Sequence, residues 1–270
     1  MDNILQADNI NAFWDKNPVL QNVSISVKSG EFVCLTGPNG CGKSTLLSIL
    51  SGIYEDITNT ALKITESSKI TYNERSITKI KRKDLAQQIS YLTQSETSAW
   101  NYDAKDIILT GRFPYLRSAG FYTDTDYKIV NQIIQQLHIE DIAKKQVYSL
   151  SGGEYQKIRI ARCLAQEPDI LLLDEPVANL DFSYQAELMA LLKDLAHKHN
   201  KGVLIVIHDI NTAIQYADRV VLLPKGQNCI SGTPQEVINR DNLELTYPNT
   251  NFGIFSHPVF NCPQVYIKQI

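Results

Sequence analysis

Short apolar runs of strand length alternate along this chain with longer segments in which apolar residues recur at helical spacing. One segment, 184–200, carries Leu188, Leu191, Leu192 and Leu195 on a single helical face. The alternation predicts an α/β fold with a mainly parallel core sheet. The runs that we predict to be strands are 31–36, 89–92, 169–173, 203–207 and 219–223.

Between about 95 and 167 the strand pattern fades, and Ile129, Ile133, Ile134 and Leu137 recur at helical spacing. We interpret this stretch as a helical subdomain inserted into the α/β core. The expected organisation is therefore one domain over 1–245, with the insert at approximately 95–167. Residues 246–270 form a tail to which the sequence assigns no role.

Composition, net charge and cysteine spacing limit the partners and the cellular location that can be expected of this chain. Apolar residues make up 43% and charged residues 20% of the 270 positions, and the net charge is −3. Without a basic excess, nucleic acid is not an expected partner. No apolar run approaches the roughly 20 residues that cross a bilayer, and the N-terminus has no basic signal region. Five scattered cysteines without paired spacing fit a reducing compartment. We expect a cytoplasmic protein that reaches any membrane through another polypeptide.

The first chemical pattern is GPNGCGKS at 37–44, which follows a predicted strand and precedes a predicted helix. Its glycines let backbone N–H groups turn toward a phosphate, and Lys43 and Ser44 supply a cation and a hydroxyl for Mg²⁺. We expect Cys41, inside this loop, to favour the thiolate. The predicted nucleotide-binding residues here are Gly37, Pro38, Asn39, Gly40, Cys41, Gly42, Lys43, Ser44 and Thr45.

A second pattern, Asp174 followed by Glu175, ends the apolar run at 170–173. A continuous apolar strand is buried on both faces, so its two acids emerge at the carboxyl edge of the sheet, where ligands bind. Adjacent strand residues point in opposite directions, and the two acids therefore take different parts. One is suited to hold Mg²⁺ and the other to polarise an attacking water.

A third pattern is LSGGE at 150–154. Ser151 and Glu154 have the spacing of a capping box that begins a helix. Gly152 and Gly153 let the backbone approach a ligand closely. The string predicts a second helix N-terminus suited to phosphate.

Together these strings resemble the ATP-binding cassette (ABC) ATPases, a class of P-loop NTPase, from about residue 8 to 245. The resemblance adds a Q-loop glutamine, Gln94, a D-loop at 178–181 and a switch histidine, His208. It implies a head-to-tail dimer of two copies, with each ATP between one phosphate loop and the partner's Ser151, Gly152 and Gly153.

The resemblance also implies a role for each remaining site residue. Glu175 is the expected general base, and Asp174 organises Mg²⁺. Gln94 is expected to join Ser44 at the metal and to sense the γ-phosphate, which His208 also contacts. The family usually stacks adenine on a tyrosine before the phosphate loop; here we expect Trp14, with Phe13 as the alternative.

The segments 111–115, GRFPY, and 232–237, GTPQEV, are similar to those of importers for metal chelates: siderophores, haem and cobalamin. That likeness implies a separate permease contacted through about 95–120, a solute-binding protein that feeds it, and a position at the cytoplasmic face of the cell membrane. We expect Arg112, Phe113 and Tyr115 to face the permease, because aromatic residues and arginine suit interface anchors.

Two other functions stay open at this point. A soluble ABC ATPase of iron–sulfur cluster assembly is also a single cassette without membrane spans. A non-catalytic regulatory cassette is the second alternative, although such proteins tend to lose the base that Glu175 supplies here. The single phosphate loop excludes the paired-cassette translation factors. The sequence does not name the cargo, because specificity lies in the partner chains.

Overall fold

A computed structural model describes residues 3–53, 62–94, 96, 102–117, 120–178 and 180–268. Its strands are β1 Ile4–Trp14, β2 Asn17–Lys28, β3 Phe32–Thr36, β4 Leu62–Ile64, β5 Lys69–Tyr72, β6 Arg75–Ser76, β7 Ile89–Leu92, β8 Ile170–Asp174, β9 Gly202–Val206, β10 Arg219–Leu222, β11 Ile230–Gly232, β12 Phe252–Ser256 and β13 Pro263–Ile267. Its α-helices are α1 Lys43–Ser51, α2 Arg82–Gln88, α3 Ala104–Leu109, α4 Asp124–Gln136, α5 Gly152–Ala165, α6 Phe182–His199, α7 Ile210–Tyr216, α8 Pro234–Val237 and α9 Arg240–Thr246.

The core sheet has the order β11-β10-β3-β9-β8-β7 and is parallel except for β11, which pairs antiparallel with β10. Strands β3, β8 and β9 are buried along their whole length, as their unbroken apolar sequences predict. The predicted α/β fold with a mainly parallel core sheet is confirmed. Because parallel strands end at the same edge, β3, β7, β8 and β9 deliver the residues that follow them to one place.

A second sheet, antiparallel throughout, has the order β2-β1-β5-β6 with β4 also paired to β1. The sequence pattern predicts no strand before residue 31. The register of β1 against β2 shifts three times, and Asn9 and Asn22 each have φ 53°. These irregularities interrupt the alternation that marks a half-buried strand. This sheet shares an apolar cluster with β3 and α1, and so supports the phosphate loop from one side.

Between β7 and β8 the described elements are α3, α4, α5 and three short 3-10 segments, with one isolated bridge between Asp103 and Gln146. Helix α4 begins at a capping box in which Thr123 and Asp126 satisfy each other's backbone N–H groups. The helical character fits the expected insert, whose bounds of 95–167 stay a prediction. In the part of the chain that the structure describes, no helix is both long enough and apolar enough to cross a membrane.

The C-terminal segment folds back onto the core as the antiparallel hairpin β12–β13. The side-chain amide of Asn211, on α7, donates to the carbonyl of Val265 and accepts from its N–H, both at 2.9 Å. Just before the hairpin, the Tyr247 hydroxyl lies 2.9 Å from Thr36 Oγ1, at the end of β3. The tail thus packs close to two elements that lead into the candidate site, although its role stays unassigned.

Candidate active site

The phosphate loop connects the buried end of β3 to the N-terminus of α1. Lys43 is buried, and its Nζ donates to the carbonyl oxygens of Gly37 (2.9 Å) and Pro38 (3.0 Å). Gly42 has φ 104°, and a Cβ there would lie 2.7 Å from Leu20 Cδ2 and 3.2 Å from the Val19 carbonyl. Only glycine fits this position, so the loop keeps its backbone N–H groups turned toward the cleft.

Cys41 lies in this loop but does not face the cleft. Its side chain is 1% exposed and joins the apolar cluster beneath the loop, while its N–H donates to the Pro38 carbonyl. Burial raises the pKa of the Cys41 thiol, and the nearby Lys43 ammonium and backbone N–H groups oppose this effect without overcoming it. The expectation of a thiolate at Cys41 is therefore wrong, because the side chain turns inward rather than toward the phosphate.

Asp174 ends β8 and is completely buried. Among the residues that the structure describes, neither of its carboxylate oxygens has a hydrogen-bond partner. Burial raises the pKa of Asp174 and the Glu175 carboxylate adds to the effect, whereas Ser44 and Lys43 oppose it. A buried carboxylate without partners is costly unless a cation compensates it, and oxygen ligands of this kind suit Mg²⁺.

Glu175 is the point at which three motifs meet. Its Oε1 accepts hydrogen bonds from Gln94 Nε2 at 3.0 Å and from His208 Nε2 at 2.5 Å. Gln94 follows β7, Glu175 follows β8 and His208 follows β9, so adjacent parallel strands bring the three side chains together. Glu175 also has φ 51°, a backbone conformation that is uncommon for a residue with a side chain.

These groups line one open cleft of about 500 Å³ together with the phosphate loop. Asn39, Gly40, Gly42, Lys43, Ser44 and Thr45 form its floor, and Gln94, Glu175 and His208 form one wall. Trp14, at the end of β1, forms another part of the wall. Phe13 points to the other face of the strand, because successive residues alternate. Of the two aromatic candidates, Trp14 is the one that the structure brings to the cleft.

Ser151, Gly152 and Gly153 do not belong to this cleft. Ser151 caps the N-terminus of α5, and the Glu154 carboxylate accepts from the Ser151 N–H at 2.8 Å, which completes the predicted capping box. Lys145 Nζ contacts the same carboxylate at 2.7 Å, and with the Ser151 bonds it holds the pKa of Glu154 at about 2. Ser151 and Gly152 are exposed, so the string presents a helix N-terminus to the outside.

The segment 110–115 corrects one expectation. Arg112 is only 4% exposed and pairs with Asp126 and Glu167, each at 2.9 Å, while its guanidinium lies 3.8 Å from the ring centre of Tyr115. Burial raises the pKa of Asp126, but the bonds from Thr123 and Arg112 outweigh it and hold the pKa low. Arg112 therefore cannot face a permease. Phe113, with 56% of its surface exposed, is the exposed aromatic residue of this segment, and Tyr115 is half-buried, with its hydroxyl donating to the Gln166 carbonyl at 2.9 Å.

Two glutamines that the sequence analysis did not single out hold the turn after Glu175. Gln156 Nε2, on α5, donates to the Pro176 carbonyl at 3.1 Å. Gln185 Nε2, on α6, donates to the carbonyls of Val177 and Leu180. Gln156 occupies an inward-facing position among apolar residues of its helix, and a polar residue there was the available signal.

The D-loop and the expected permease segment are described in part. Asn179 lies outside the described residues, while Leu180 is buried and the Asp181 carboxylate caps α6 by accepting from the Tyr184 N–H at 2.9 Å. Within 95–120, positions 95, 97–101, 118 and 119 also lie outside them.

Comparison with known proteins agrees with this geometry. The family model described as "ABC transporter" matches residues 20–178. The chain is 36% identical to the petrobactin import ATP-binding protein YclP of Bacillus subtilis (strain 168), over 92% of this chain and 94% of that protein. It is 32% identical to the hemin import ATP-binding protein HmuV of Vibrio anguillarum, over 97% of each.

Two solved structures are similar as well. An ABC transporter assigned to the metal-chelate type, in an inward-facing conformation, matches with a TM-score of 0.80 and 27% identity over 98% of this chain and 97% of that chain. The dimeric cassette MJ0796, in a post-hydrolysis state with ADP and Pi, matches with a TM-score of 0.71 and 26% identity over 85% of this chain and 98% of that chain. The chain belongs to the ABC transporter family, as an ATP-binding subunit that hydrolyses ATP.

Proposed function

We propose that this chain drives import of a metal chelate (a siderophore, haem or cobalamin) through a separate permease by hydrolysing ATP. One observation carries the catalytic part: Gln94 and His208 converge on Glu175 Oε1 beside the phosphate loop. The names of the relatives support the transport part, since YclP and HmuV are import proteins for petrobactin and hemin. Those names favour an importer over iron–sulfur assembly or a regulatory cassette.

In this proposal Glu175 is the general base. The two hydrogen bonds to Oε1 fix the orientation of the carboxylate and leave Oε2 to accept a proton from the attacking water. Lys43 exchanges its bonds to the Gly37 and Pro38 carbonyls for the β- and γ-phosphates. His208, half-exposed at the edge of the cleft, contacts the γ-phosphate, and Trp14 stacks on adenine.

Ser44, Gln94 and Asp174 would hold Mg²⁺. When bound, the metal would supply positive charge that stabilises the phosphates during transfer. The buried and unpartnered carboxylate of Asp174 suits this role, and Ser44 lies close enough to affect its pKa.

The active form is a head-to-tail dimer in this proposal. Ser151 and Gly152 are exposed and Gly153 is half-buried at the start of α5, and all three lie outside their own chain's cleft, so their ligand is the ATP bound to a second copy. The solved neighbour MJ0796 is a dimeric cassette.

The permease docks on the segment about 95–120, with Phe113 as its exposed aromatic anchor. A solute-binding protein delivers the chelate to the permease from the other side. The chain then resides at the cytoplasmic face of the cell membrane, held there by the permease.

The catalytic assignment is tested by Glu175→Gln, with the exposed Glu187→Gln as the matched control. The amide cannot accept a proton, so hydrolysis should fall at least about a hundredfold while MgATP still binds. ATP should trap the variant as a dimer, visible by size-exclusion chromatography. Turnover near that of the control would remove Glu175 from this role.

The transport assignment is tested in the cell that carries the chain. Disrupting its gene should abolish uptake of a ferric chelate or haem and spare iron–sulfur enzymes when iron is supplied as a simple salt. Loss of those enzymes with uptake intact would instead favour cluster assembly.

A further inference from the structure

A buried network of hydrogen bonds links two backbone segments next to the catalytic residues. Arg159 Nη2 donates to the carbonyl of Thr93 at 2.5 Å and to its Oγ1 at 3.0 Å. Arg159 Nη1 donates to Gln156 Oε1 at 2.8 Å, and Gln156 Nε2 donates to the Pro176 carbonyl at 3.1 Å. Gln156 and Arg159 are 7% and 3% exposed. Both lie on α5, the helix whose N-cap is Ser151.

Each end of this hydrogen-bonded network is a residue that is adjacent in sequence to a catalytic residue. Thr93 directly precedes Gln94, and Pro176 directly follows Glu175. On the other side of Gln94, the Glu96 carboxylate receives both terminal nitrogens of Arg162, at 2.7 and 2.6 Å. The hydrogen bonds and charge of Arg162 lower the pKa of Glu96, so the pair is ionised at neutral pH. Arginines of α5 therefore contact residues on both sides of Gln94, the backbone and hydroxyl of Thr93 on one side and the carboxylate of Glu96 on the other.

Glu175 needs such support because its backbone is strained. A φ of 51° places its backbone in the left-handed region, which a residue other than glycine keeps only when its surroundings hold it there. Gln156 supplies one of those constraints, since Pro176 cannot rotate away without losing the hydrogen bond from Gln156 Nε2 to its carbonyl. Gln156 is not among the described residues that line the cleft.

We propose that Gln156 and Arg159 are positioning residues for ATP hydrolysis, which hold Glu175 and Gln94 in register with each other. The inference rests on the proposed function, because it takes Glu175 as the base and Gln94 as the sensor of the γ-phosphate. It also gives α5 two tasks. The first turn of the helix presents Ser151 to the partner's ATP, and the next turn positions the base of its own site.

The consequence is a physical connection between the two ATP sites of a dimer. A shift of α5 when Ser151 engages the partner's nucleotide moves Gln156 and Arg159 with the helix. Those two side chains move the backbone next to Glu175 and Gln94. The occupancy of the neighbouring site therefore affects how well the base is positioned.

The test compares Gln156→Met with Gln166→Met in the purified full-length chain. Gln166 is the matched control: it lies at the other end of α5, and its Nε2 also donates to backbone carbonyls, those of Ala86 and Ile89. We expect Gln156→Met to lower kcat between ten- and a hundredfold, the effect of a small misplacement of catalytic groups, with the Kd for MgATP changed less than about twofold. Gln166→Met should lower Tm comparably and keep kcat within about twofold of the unaltered chain.

A third variant, Gln156→Glu, separates the hydrogen bond with Arg159 from the hydrogen bond to the Pro176 carbonyl. Its carboxylate still pairs with Arg159 but cannot donate to the Pro176 carbonyl, so kcat should stay as low as in Gln156→Met. In the double variant with Arg159→Met, kcat should fall no further than in the worse single variant, because the residues act as one chain.

Several results would overturn the inference: an unchanged kcat in Gln156→Met, an equal loss in Gln166→Met, recovery in Gln156→Glu, or additive losses in the double variant. Glu175→Gln is assayed in parallel. If it is inactive while Gln156→Met retains kcat, only this inference fails; if it stays active, the proposed function fails first.

Discussion

The phosphate-loop side of the site and the LSGGE side differ in how complete each is within one chain. In the cleft, Lys43 is held by two carbonyls, Glu175 by two side chains, and Gly42 is packed against Leu20. At 151–153, by contrast, a Cβ added to Gly152 would meet no atom of the described residues within 4 Å. The residues of the cleft are packed and hydrogen-bonded by their own chain, whereas the surface at Gly152 is open to solvent.

The difference shows what the same residue type does in two places. Gly42 is required by its own chain, since its conformation and neighbours both reject a side chain. Gly152 has no such constraint from the described residues of its own chain. In the proposed head-to-tail dimer, the nucleotide held by a second copy would be what limits the size of a side chain at this position.

The largest effect that tests this contrast comes from mixing two inactive variants. Ser151→Arg blocks the open side and Lys43→Ala disables the cleft, so each homodimer should be inactive. A mixed dimer has one site spoiled twice and one intact. Equal mixing should restore at most about a quarter of the activity, because half of the dimers are mixed and each has one intact site of two, and coupling through α5 lowers this figure further. ATPase assays on the mixture measure it. Inactive mixtures in which mixed dimers demonstrably form would contradict the head-to-tail arrangement or would mean that the intact site needs nucleotide at its neighbour.

The two glycines give the next largest effect. Gly42→Ala forces a Cβ to within 2.7 Å of Leu20 at φ 104°, so we expect a loss of about 4 kcal/mol in the free energy of unfolding, together with loss of nucleotide binding. Gly152→Ala should leave the stability of the isolated chain unchanged or slightly raised, since alanine favours helices. It should nevertheless lower turnover by the dimer. Urea unfolding and ATPase assays measure both, and equal destabilisation would erase the contrast.

The same contrast recurs inside the segment 110–115, with a smaller effect. Arg112→Met leaves Asp126 buried without its partner and should cost about 3 kcal/mol of stability. Phe113→Ala removes an exposed ring and should change Tm little. In cells, Phe113→Ala should lower uptake while the free subunit keeps its basal ATPase activity. Full uptake with Phe113→Ala would remove this residue from the docking surface.

The site features that could be predicted from the sequence are those formed by contiguous strings of residues. The phosphate loop and the acids at 174 and 175 could be predicted because each is a contiguous string at the end of an apolar strand. A parallel sheet then explains why Gln94 and His208 meet at Glu175. Arg112 was placed on the surface because its partners, Asp126 and Glu167, lie 14 and 55 residues away, and no local pattern joins them.

The antiparallel sheet and the C-terminal hairpin were also beyond the sequence pattern. In β1 and β2 the alternation is broken by register shifts near Asn9 and Asn22, so no regular period remains. The hairpin is held partly by Asn211, a residue 54 positions from Val265. Contacts of this kind depend on tertiary packing, which local propensity does not contain.

The smallest effect concerns Cys41, which lies in the phosphate loop and is buried in the core of its own chain. The thiol is buried with a raised pKa, so little thiolate forms at neutral pH and reagents cannot reach it. N-ethylmaleimide should leave Cys41 unlabelled in the native chain and label it after unfolding in guanidinium, as peptide mass spectrometry can show. Half-buried Cys229 serves as the comparison within the same chain. Cys41→Ala should cost about 1 kcal/mol, the usual effect of deleting one small buried group, and should keep ATPase activity. Native labelling of Cys41 that MgATP prevents would show that the thiol faces the nucleotide after all, and that the cleft is less closed toward its own core than the packing around Gly37 and Gly42 indicates.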